Sequence, residues 1–254
     1  MTHHYDDPQY SYPEYWTQRS YEQQAETIAL TSLLRGYKFP SCVDIGAGFG
    51  RLVPTLHRFC RRIILIDPSA RQRSLAQKYL AASPSLNLSH FTILSGTAQS
   101  TRLPARTTSL AVLIRVAHHL PNLLQVFQET HRILKPGGIF IFEFANSQNF
   151  KSRLKSMFVG QPILLTPLEK RSSTNIKKNS IPFVNHHPAT VKKLLLQSGF
   201  AIDQILSVSN FRHPLIKQVL PISFLLTLEK ISQPLLSPLF FGPSIFIKAH
   251  KIDN

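Results

Sequence analysis

The sequence predicts an α/β fold, a doubly wound and mostly parallel seven-stranded sheet with helices on both faces. Two observations predict it. Strands that are apolar at consecutive positions alternate with helices through the first 144 residues, and the links between them are short. A strand that is apolar throughout is buried on both faces, as in a parallel sheet covered by helices. Because crossovers between parallel strands are right-handed, the doubly wound arrangement follows.

The first half of the chain supplies five of the predicted strands and four helices. Residues Ala25, Ala29 and Leu33 recur at helical spacing, and the sequence KPGG at 135–138 ends the last of these helices. The predicted strands cover residues 41–45, 62–67, 90–96, 109–116 and 139–144. The predicted helices cover about 20–35, 50–60, 68–82 and 121–134.

The second half is less regular but completes the sheet. A helix over 188–200 ends at Gly199, and strands are predicted at 201–209 and 243–251. We expect one domain over 1–254. Its parts are an N-terminal lid and helix (1–36), a ligand-binding core (37–146), a basic insertion (147–187) and a C-terminal part (188–254) with an apolar, proline-punctuated insertion (211–242).

Composition limits the possible partners and compartment. The formal net charge of +16 raises the expectation of a polyanionic partner, such as RNA, DNA or an anionic membrane surface. The two cysteines, Cys42 and Cys60, have no metal-ligand spacing, so reduced structural thiols are expected and no metal site. The apolar region 219–247 is interrupted by Glu229, Lys230 and prolines, which argues against a membrane span. A cytoplasmic protein without a signal peptide is expected.

A glycine-rich turn marks the expected ligand site. The sequence VDIGAGFGRL at 43–52 places Gly46, Gly48 and Gly50 directly after the first strand. Such a turn leaves a parallel strand at its carboxyl end and lets a ligand approach bare backbone. The spacing is G-x-G-x-G rather than the dinucleotide G-x-G-x-x-G. Asp67 ends the second strand, where its carboxylate can accept hydrogen bonds from ribose hydroxyls; capping of the next helix is the alternative role.

Taken together, these pieces resemble a class I S-adenosylmethionine-dependent methyltransferase of the methyltransferase-domain-11 type. The matching stretches are VDIGAGFGR, IILIDPS, GTAQSTRLP, RVAHHL, ILKPGGIFIFEF and GPSIFIKA, in the family's order. They lie within about 41–144 and 188–250, which is most of the chain. The resemblance implies a Rossmann-like sheet with an antiparallel last strand, S-adenosylmethionine as cofactor and an unidentified methyl acceptor as partner.

The resemblance also implies cofactor-binding roles for particular residues. Gly46 and Gly48 would line the methionine and ribose parts, Asp67 would hold the ribose, and Arg115 would lie near the methionine end. The full implied set is Asp44, Gly46, Ala47, Gly48, Asp67, Pro68, Thr97, Ala98 and Arg115. Two departures weaken the pattern, since Thr97 and Ser109 stand where the family often has aspartate.

An N-terminal lid is a further expectation. Its aromatic residues could cradle a sulfonium by cation–π attraction, and Arg19 could meet the cofactor carboxylate. Packing on the domain surface without ligand contact is the alternative. The aromatic residues concerned are Tyr10, Tyr12, Tyr15, Trp16 and Tyr21.

Methyl transfer from a sulfonium needs mainly alignment and exclusion of water, and a base only for some acceptors. His118 and His119, after the fourth strand, are the candidate catalytic residues, and Glu143 is another site-facing candidate; a backbone-bonded histidine is the alternative for the first two.

The acceptor is left open by the sequence, with a small or lipid-like metabolite slightly favoured by the apolar insertion. The basic insertion leaves RNA or an anionic membrane as a contact, against a merely solvated basic face. A non-catalytic S-adenosylmethionine-binding partner and a nicotinamide-dependent oxidoreductase are the competing classes. The sequence does not specify an oligomeric state.

Overall fold

The computed structural model describes residues 3–7, 12–17, 19–177 and 180–252. Its centre is a seven-stranded sheet in the order β3-β2-β1-β4-β5-β9-β8. These strands are β1 (Phe39–Ile45), β2 (Cys60–Ile66), β3 (Phe91–Leu94), β4 (Thr108–Leu113), β5 (Leu134–Ala145), β8 (Phe200–Val208) and β9 (Ser244–Lys251). β1 to β5 pair in parallel, and β9 runs antiparallel to both β5 and β8. The predicted fold class is confirmed, including the antiparallel last strand.

Helices lie on both faces of the sheet. In chain order they are α1 (His3–Asp6), α2 (Tyr12–Thr17), α3 (Ser20–Leu33), α4 (Val53–Leu56), α5 (Ala70–Ala81), α6 (Leu124–Ile133), α7 (Phe150–Val159), α8 (Ser173–Lys177), α9 (Pro188–Gln197), α10 (Pro214–Val219) and α11 (Ile222–Leu235). Two apolar clusters result, because successive strand residues face opposite sides. One gathers Leu110 and Val112 of β4 with α3, and the other gathers Ala111 and Leu113 with α6.

Several element boundaries differ from the predicted ones. The helix predicted over 50–60 is a single turn, α4, flanked by hydrogen-bonded turns on either side. β5 begins at Leu134, five residues before the predicted strand, since Leu134 pairs with Thr108 before a register shift. The KPGG sequence therefore lies inside a strand rather than in a link.

The two insertions contain structure that periodicity did not reveal. Residues 147–187 hold α7, α8 and a small two-stranded sheet of β6 (Leu168–Glu169) and β7 (Val184–Asn185). Residues 211–242 hold α10 and α11, and α11 packs against α3 and β8.

A buried carboxylate joins α11 to the rest of the fold. Glu229 Oε2 accepts hydrogen bonds from the Tyr21 hydroxyl (2.6 Å) and from Asn210 N–H (3.0 Å), and its Oε1 accepts from Ser209 N–H (2.7 Å). The acid that interrupts the apolar run in the sequence is thus a buried anchor, which fixes the C-terminal insertion to α3.

No helix in the described part of the chain is both long enough and apolar enough to cross a bilayer. Cys42 and Cys60 are buried free cysteines.

Candidate active site

The turn after β1 is held against the end of β2. Gly46 N–H and Ala47 N–H both donate to Ile66 O, at 2.7 and 3.0 Å. Gly46 and Gly48 have φ of +76° and +56°, a region that side chains disfavour. A Cβ on Gly46 would also overlap the side chain of Val116. The turn therefore requires glycine for its path and for close packing.

Asp67 contacts this turn directly. Gly48 N–H donates to Asp67 Oδ2 at 2.8 Å, and Ser69 N–H donates to Asp67 Oδ1 at 2.9 Å. Burial raises the pKa of Asp67, while the two N–H groups and Arg73 oppose that rise. Each carboxylate oxygen has a second lone pair, so Asp67 can still accept ligand hydroxyls. The alternative role of capping the next helix is performed by Ser69, whose side chain accepts a hydrogen bond from Gln72 N–H at the start of α5.

The turn and Asp67 both line a cavity of about 280 Å³. It is lined mainly by apolar surface, with Val116 and Leu120 on the side of β4. Of the residues assigned to the cofactor from the sequence, its lining includes Gly46, Gly48, Asp67, Pro68, Thr97, Ala98 and Arg115. Thr97 stands where the resembled family often has aspartate. Its hydroxyl accepts a hydrogen bond from Ser100 N–H at 3.1 Å.

Asp44 lies in β1 just before the turn and is fully buried. Its Oδ2 has no hydrogen-bond partner within the described ranges. Burial raises its pKa to about 7, although the cation of Arg51 opposes the rise. An orphaned buried carboxylate oxygen is costly, and an ammonium group of a ligand would satisfy it. Ala47, three residues on, contributes backbone to the turn.

Arg51, Glu26 and Trp16 form a charged cluster beside Asp44 that the sequence did not reveal. Arg51 Nη2 lies 2.8 Å from Glu26 Oε2, and its guanidinium lies 3.8 Å from the centre of the Trp16 ring. Arg51 Nη1 is buried and has no acceptor among the residues described. One signal was available, because Glu22 and Glu26 fall on the same helical face as the apolar residues of α3.

The N-terminal residues cover the cavity of about 280 Å³, which is the smaller of the two cavities described here. Tyr12 and Tyr5 line it, and a Cβ on Gly48 would lie 3.1 Å from Tyr12 Cε1. Asp6 Oδ1 accepts hydrogen bonds from Ser69 Oγ (2.5 Å) and Arg71 N–H (3.2 Å) at the start of α5. Tyr10 and the side chain of Tyr15 fall outside the described residues, whereas Tyr21 lies away from the cavity, bonded to Glu229.

A second, larger cavity of about 680 Å³ adjoins the first at Arg115, which lines both. Its walls are polar and carry more cations than acids. The cationic residues are Arg19, Arg115, Lys170, Arg212 and Lys217, and the acidic residues are Glu22 and Glu143. Arg19, expected beside the cofactor carboxylate, lines this larger cavity. Of residues 211–242, Arg212, Pro214 and Lys217 line this cavity, so Pro214 is the one apolar side chain that the insertion contributes to the wall.

Arg115 and Glu143 are joined where the two cavities meet. Arg115 has φ of +64°, a strained value for a non-glycine residue, and its N–H donates to Glu143 Oε2 at 2.8 Å. Ser244 Oγ donates to Glu143 Oε1 at 2.5 Å. Burial raises the pKa of Glu143, while the charge of Arg115 opposes that rise. Glu143 therefore presents a buried, hydrogen-bonded carboxyl to the larger cavity.

The two histidines occupy different positions. His118 lines the larger cavity and is buried; desolvation and the neighbouring His119 and Arg115 hold its pKa well below its usual value. His119 lines the smaller cavity. Its Nδ1 donates to Pro182 O (2.8 Å), so in the neutral ring its Nε2 accepts from the Tyr5 hydroxyl (2.8 Å). Only His118 thus faces the larger cavity.

The chain is similar to known methyltransferases in part of its sequence and in its fold. Residues 43–142 match the methyltransferase domain family. An S-adenosylmethionine-dependent methyltransferase from Mesorhizobium loti aligns with a TM-score of 0.61 at 19% identity, covering 89% of this chain and 98% of that one. One from Methanosarcina mazei aligns with a TM-score of 0.58 at 17% identity, covering 87% and 96%. No functionally curated protein has a significant sequence match.

The chain therefore has the fold of the class I S-adenosylmethionine-dependent methyltransferases. The predicted resemblance is confirmed, because residues 43–142 match the methyltransferase domain family and the similar solved structures named above are S-adenosylmethionine-dependent methyltransferases, which use the cofactor expected from the sequence. The fold also occurs in the 4+2 cyclase SpnF, which aligns with a TM-score of 0.62 at 15% identity, covering 91% of this chain and 82% of that one. The fold alone accordingly does not specify the reaction.

The residues present fit this cofactor. Its ribose hydroxyls match the carboxylate of Asp67, which lines the smaller cavity. Asp44, whose Oδ2 has no hydrogen-bond partner among the described residues, lies just before the turn and does not line either cavity. The apolar lining at Pro68 and Ala98 suits a flat adenine ring.

Proposed function

We propose that this protein transfers a methyl group from S-adenosylmethionine to an acceptor bound in the larger cavity. The observation that carries the proposal is the junction of two cavities at Arg115. One has the features that a sulfonium nucleoside needs, and the other is a polar chamber of about 680 Å³. That volume falls in the range of small-molecule sites.

In this proposal Asp44 holds the amino group of the cofactor, and Asp67 holds its ribose. Gly46, Ala47 and Gly48 supply bare backbone, while Pro68, Thr97 and Ala98 flank the adenine. The bound cofactor supplies an electrophilic methyl group with a neutral sulfide as leaving group. The protein then needs only to align the acceptor and exclude water, and the N-terminal residues Tyr5 and Tyr12 favour exclusion because they cover the smaller cavity.

His118 is the proposed base where the acceptor carries a proton. Its lowered pKa keeps the imidazole neutral near pH 7, so it can accept a proton from a group in the larger cavity. His119 acts instead as a positioning residue, because both its ring nitrogens contact the covering segments. Arg19, in the wall of the larger cavity, would orient the acceptor rather than the cofactor.

The acceptor is proposed to be a small metabolite or lipid headgroup that carries an anionic group. Five cationic side chains line the larger cavity against two acidic ones, and Glu143 has a raised pKa. This charge balance favours anionic ligands. RNA is the second candidate acceptor, which the net charge of +16 favours.

The proposal also treats 1–254 as one domain, because β8 and β9, which follow the insertions, complete the sheet beside β5. A cytoplasmic setting is proposed on the two free cysteines, Cys42 and Cys60.

The test combines cofactor binding with methyl transfer. Calorimetry with S-adenosylmethionine should show binding by the wild-type chain. Asp67→Ala should raise the dissociation constant by roughly ten- to a hundredfold, the loss of a charge-assisted hydrogen bond of about 1.5–3 kcal/mol. Asp203→Ala is the matched control, since that carboxylate bonds His250 on strand β9, away from both cavities.

Labelled cofactor should then be offered with acceptors in matched pairs, each acid beside its neutral amide. Preferential methylation of the acids supports the proposal. Cofactor binding without transfer to any acceptor, RNA included, would favour the non-catalytic binding protein, and absence of cofactor binding would overturn the site assignment.

A further inference from the structure

Helix α7 displays its apolar side chains to solvent. Phe150, Leu154, Met157 and Phe158 fall at i, i+4, i+7 and i+8, which puts them on one face of the helix. Nothing in α7 is buried, and Met157 and Phe158 are 72% and 79% exposed. The loop that follows continues this surface with Leu164 and Leu165, each more than 60% exposed. Contiguous exposed apolar side chains mark interaction sites.

The helix is fixed to the fold at its base. Phe150 N–H donates to Phe241 O at 2.9 Å, and the two phenyl rings stack at 5.0 Å between centroids. Arg153 Nη2 donates to Leu239 O at 2.5 Å. Asn149 caps the first turn by accepting from Ser152 N–H. α7 is therefore held in place at one end while its apolar tip projects.

The surface is also basic. Lys151 and Lys155 are exposed and one helical turn apart, so they flank the apolar stripe on the same side. The sequence has no Asp or Glu between Glu143 and Glu169. A short helix with an apolar stripe, flanking lysines and no acidic residue has the chemistry of a segment that lies in the interface of an anionic bilayer.

This surface adjoins the mouth of the larger cavity. Asn149, the residue before α7, lines that cavity, and so does Pro214, the first residue of α10. α10 in turn exposes Leu215 and Val219, at 64% and 78%. Apolar side chains therefore project from two helices that begin at the wall of the same cavity.

We propose that α7 and the loop through Leu165, which we name the α7 surface, dock on an anionic lipid bilayer. The lysines meet lipid headgroups, and Met157 and Phe158 insert among the upper acyl chains. RNA contact is less well matched, because phosphate contacts use the lysines but leave the projecting aliphatic side chains unexplained. Docking would turn the larger cavity toward the membrane surface.

Flotation with phosphatidylcholine vesicles, with and without about a third phosphatidylglycerol, tests this proposal without cofactor or acceptor. The wild-type chain should bind the anionic vesicles and bind neutral ones at least about tenfold more weakly. The double variant Met157→Ser/Phe158→Ser should lose at least about tenfold in partition onto anionic vesicles. Lys151→Glu/Lys155→Glu should lose a similar factor and should also lose the preference for anionic lipid.

Matched controls lie elsewhere on the surface. Leu88→Ser removes an exposed leucine just before β3, an edge strand of the sheet, and Lys78→Glu/Lys135→Glu makes the same charge change away from α7. Both should bind vesicles like wild type, and thermal unfolding should confirm that every variant is folded. Absence of wild-type vesicle binding overturns the proposal. So does binding that depends on the lysines alone and is displaced by single-stranded RNA, which would assign the surface to nucleic acid.

Discussion

Two buried carboxylates at the glycine turn differ in what surrounds them. Asp67 receives two backbone N–H groups, whereas Asp44 Oδ2 has no such donor among the described residues. The difference matters because hydrogen bonds to the charged form counter the desolvation that raises an acid's pKa. If Asp44 holds the ammonium group of the cofactor, as we propose, its ionisation should depend more on that ligand than the ionisation of Asp67 does.

Cofactor affinity should depend on pH through Asp44. Its folded-state pKa of about 7 lies above the ordinary aspartate value, so the acid is protonated below pH 7 and ionised above it. An ammonium group prefers the ionised form, and the dissociation constant should rise up to about tenfold for each pH unit below 7. Calorimetry from pH 5.5 to 8.5 measures this.

Asp44→Asn serves as the diagnostic variant for that titration. It should bind the cofactor weakly and with little dependence on pH over the same range. Because a raised pKa makes ionised Asp44 a destabilising charge in the free protein, this variant should also unfold at a higher temperature than wild type above pH 7. A wild-type pH dependence retained in the variant would assign the titration to another group.

Gly48→Arg tests the turn itself. The position has φ of +56°, and a Cβ there would lie 3.1 Å from Tyr12, so a long side chain must occupy the ligand space or displace the N-terminal segment. We expect a folded protein, by circular dichroism, with no measurable cofactor binding by calorimetry. Gly36→Arg is a suitable control. Gly36 also has a positive φ, but a Cβ added there meets no atom within 4 Å.

At the scale of elements, the sequence predicted what depends on local pattern. The turn, Asp67 and the mostly parallel sheet follow from short motifs and from the apolar runs of parallel strands. The cluster of Glu26, Arg51 and Trp16 does not, because it forms only when α2, α3 and the turn after β1 meet in space. Helix α4 was overestimated because helical periodicity alone does not distinguish one turn of helix from a series of tight turns.

The N-terminal segment is joined to the 181–182 stretch through one histidine. His119 bonds Tyr5 on one side and Pro182 O on the other, and all three line the smaller cavity. Tyr5→Phe removes one of these hydrogen bonds, which is worth about 1 kcal/mol. The cofactor should then dissociate about fivefold faster in stopped-flow measurements. Tyr37→Phe, on an exposed tyrosine stacked on Phe39, should leave the rate unchanged.

For the whole molecule, the C-terminal insertion contributes little apolar surface to the core, since Leu225 is the one apolar residue of 211–242 that is buried. α11 joins the fold through a polar anchor, since Glu229 accepts from Tyr21, Ser209 and Asn210. Composition alone located an apolar insertion at 211–242 but could not show that its only acid would be buried, because the donors come from α3 and from the end of β8.

Glu229→Ala should therefore destabilise the whole fold. It leaves two backbone N–H groups and the Tyr21 hydroxyl without their acceptor, and we expect a loss of about 2–4 kcal/mol in the free energy of unfolding. Urea denaturation followed by circular dichroism measures it. Asp203→Ala, on the outer strand β8, should change the midpoint little. An unchanged midpoint for Glu229→Ala would mean that α11 docks through its apolar contacts alone.

Arg115 has two roles, one for its side chain and one for its main chain, which has a left-handed conformation. Its side chain lines both cavities, while its main chain bends so that the N–H reaches Glu143. Arg115→Gly relieves the strain of the positive φ, whereas Arg115→Ala retains it, and both variants remove the guanidinium group. Any gap in thermal stability between the two replacements thus reports conformational strain, and whatever loss of turnover they share belongs to the missing charge.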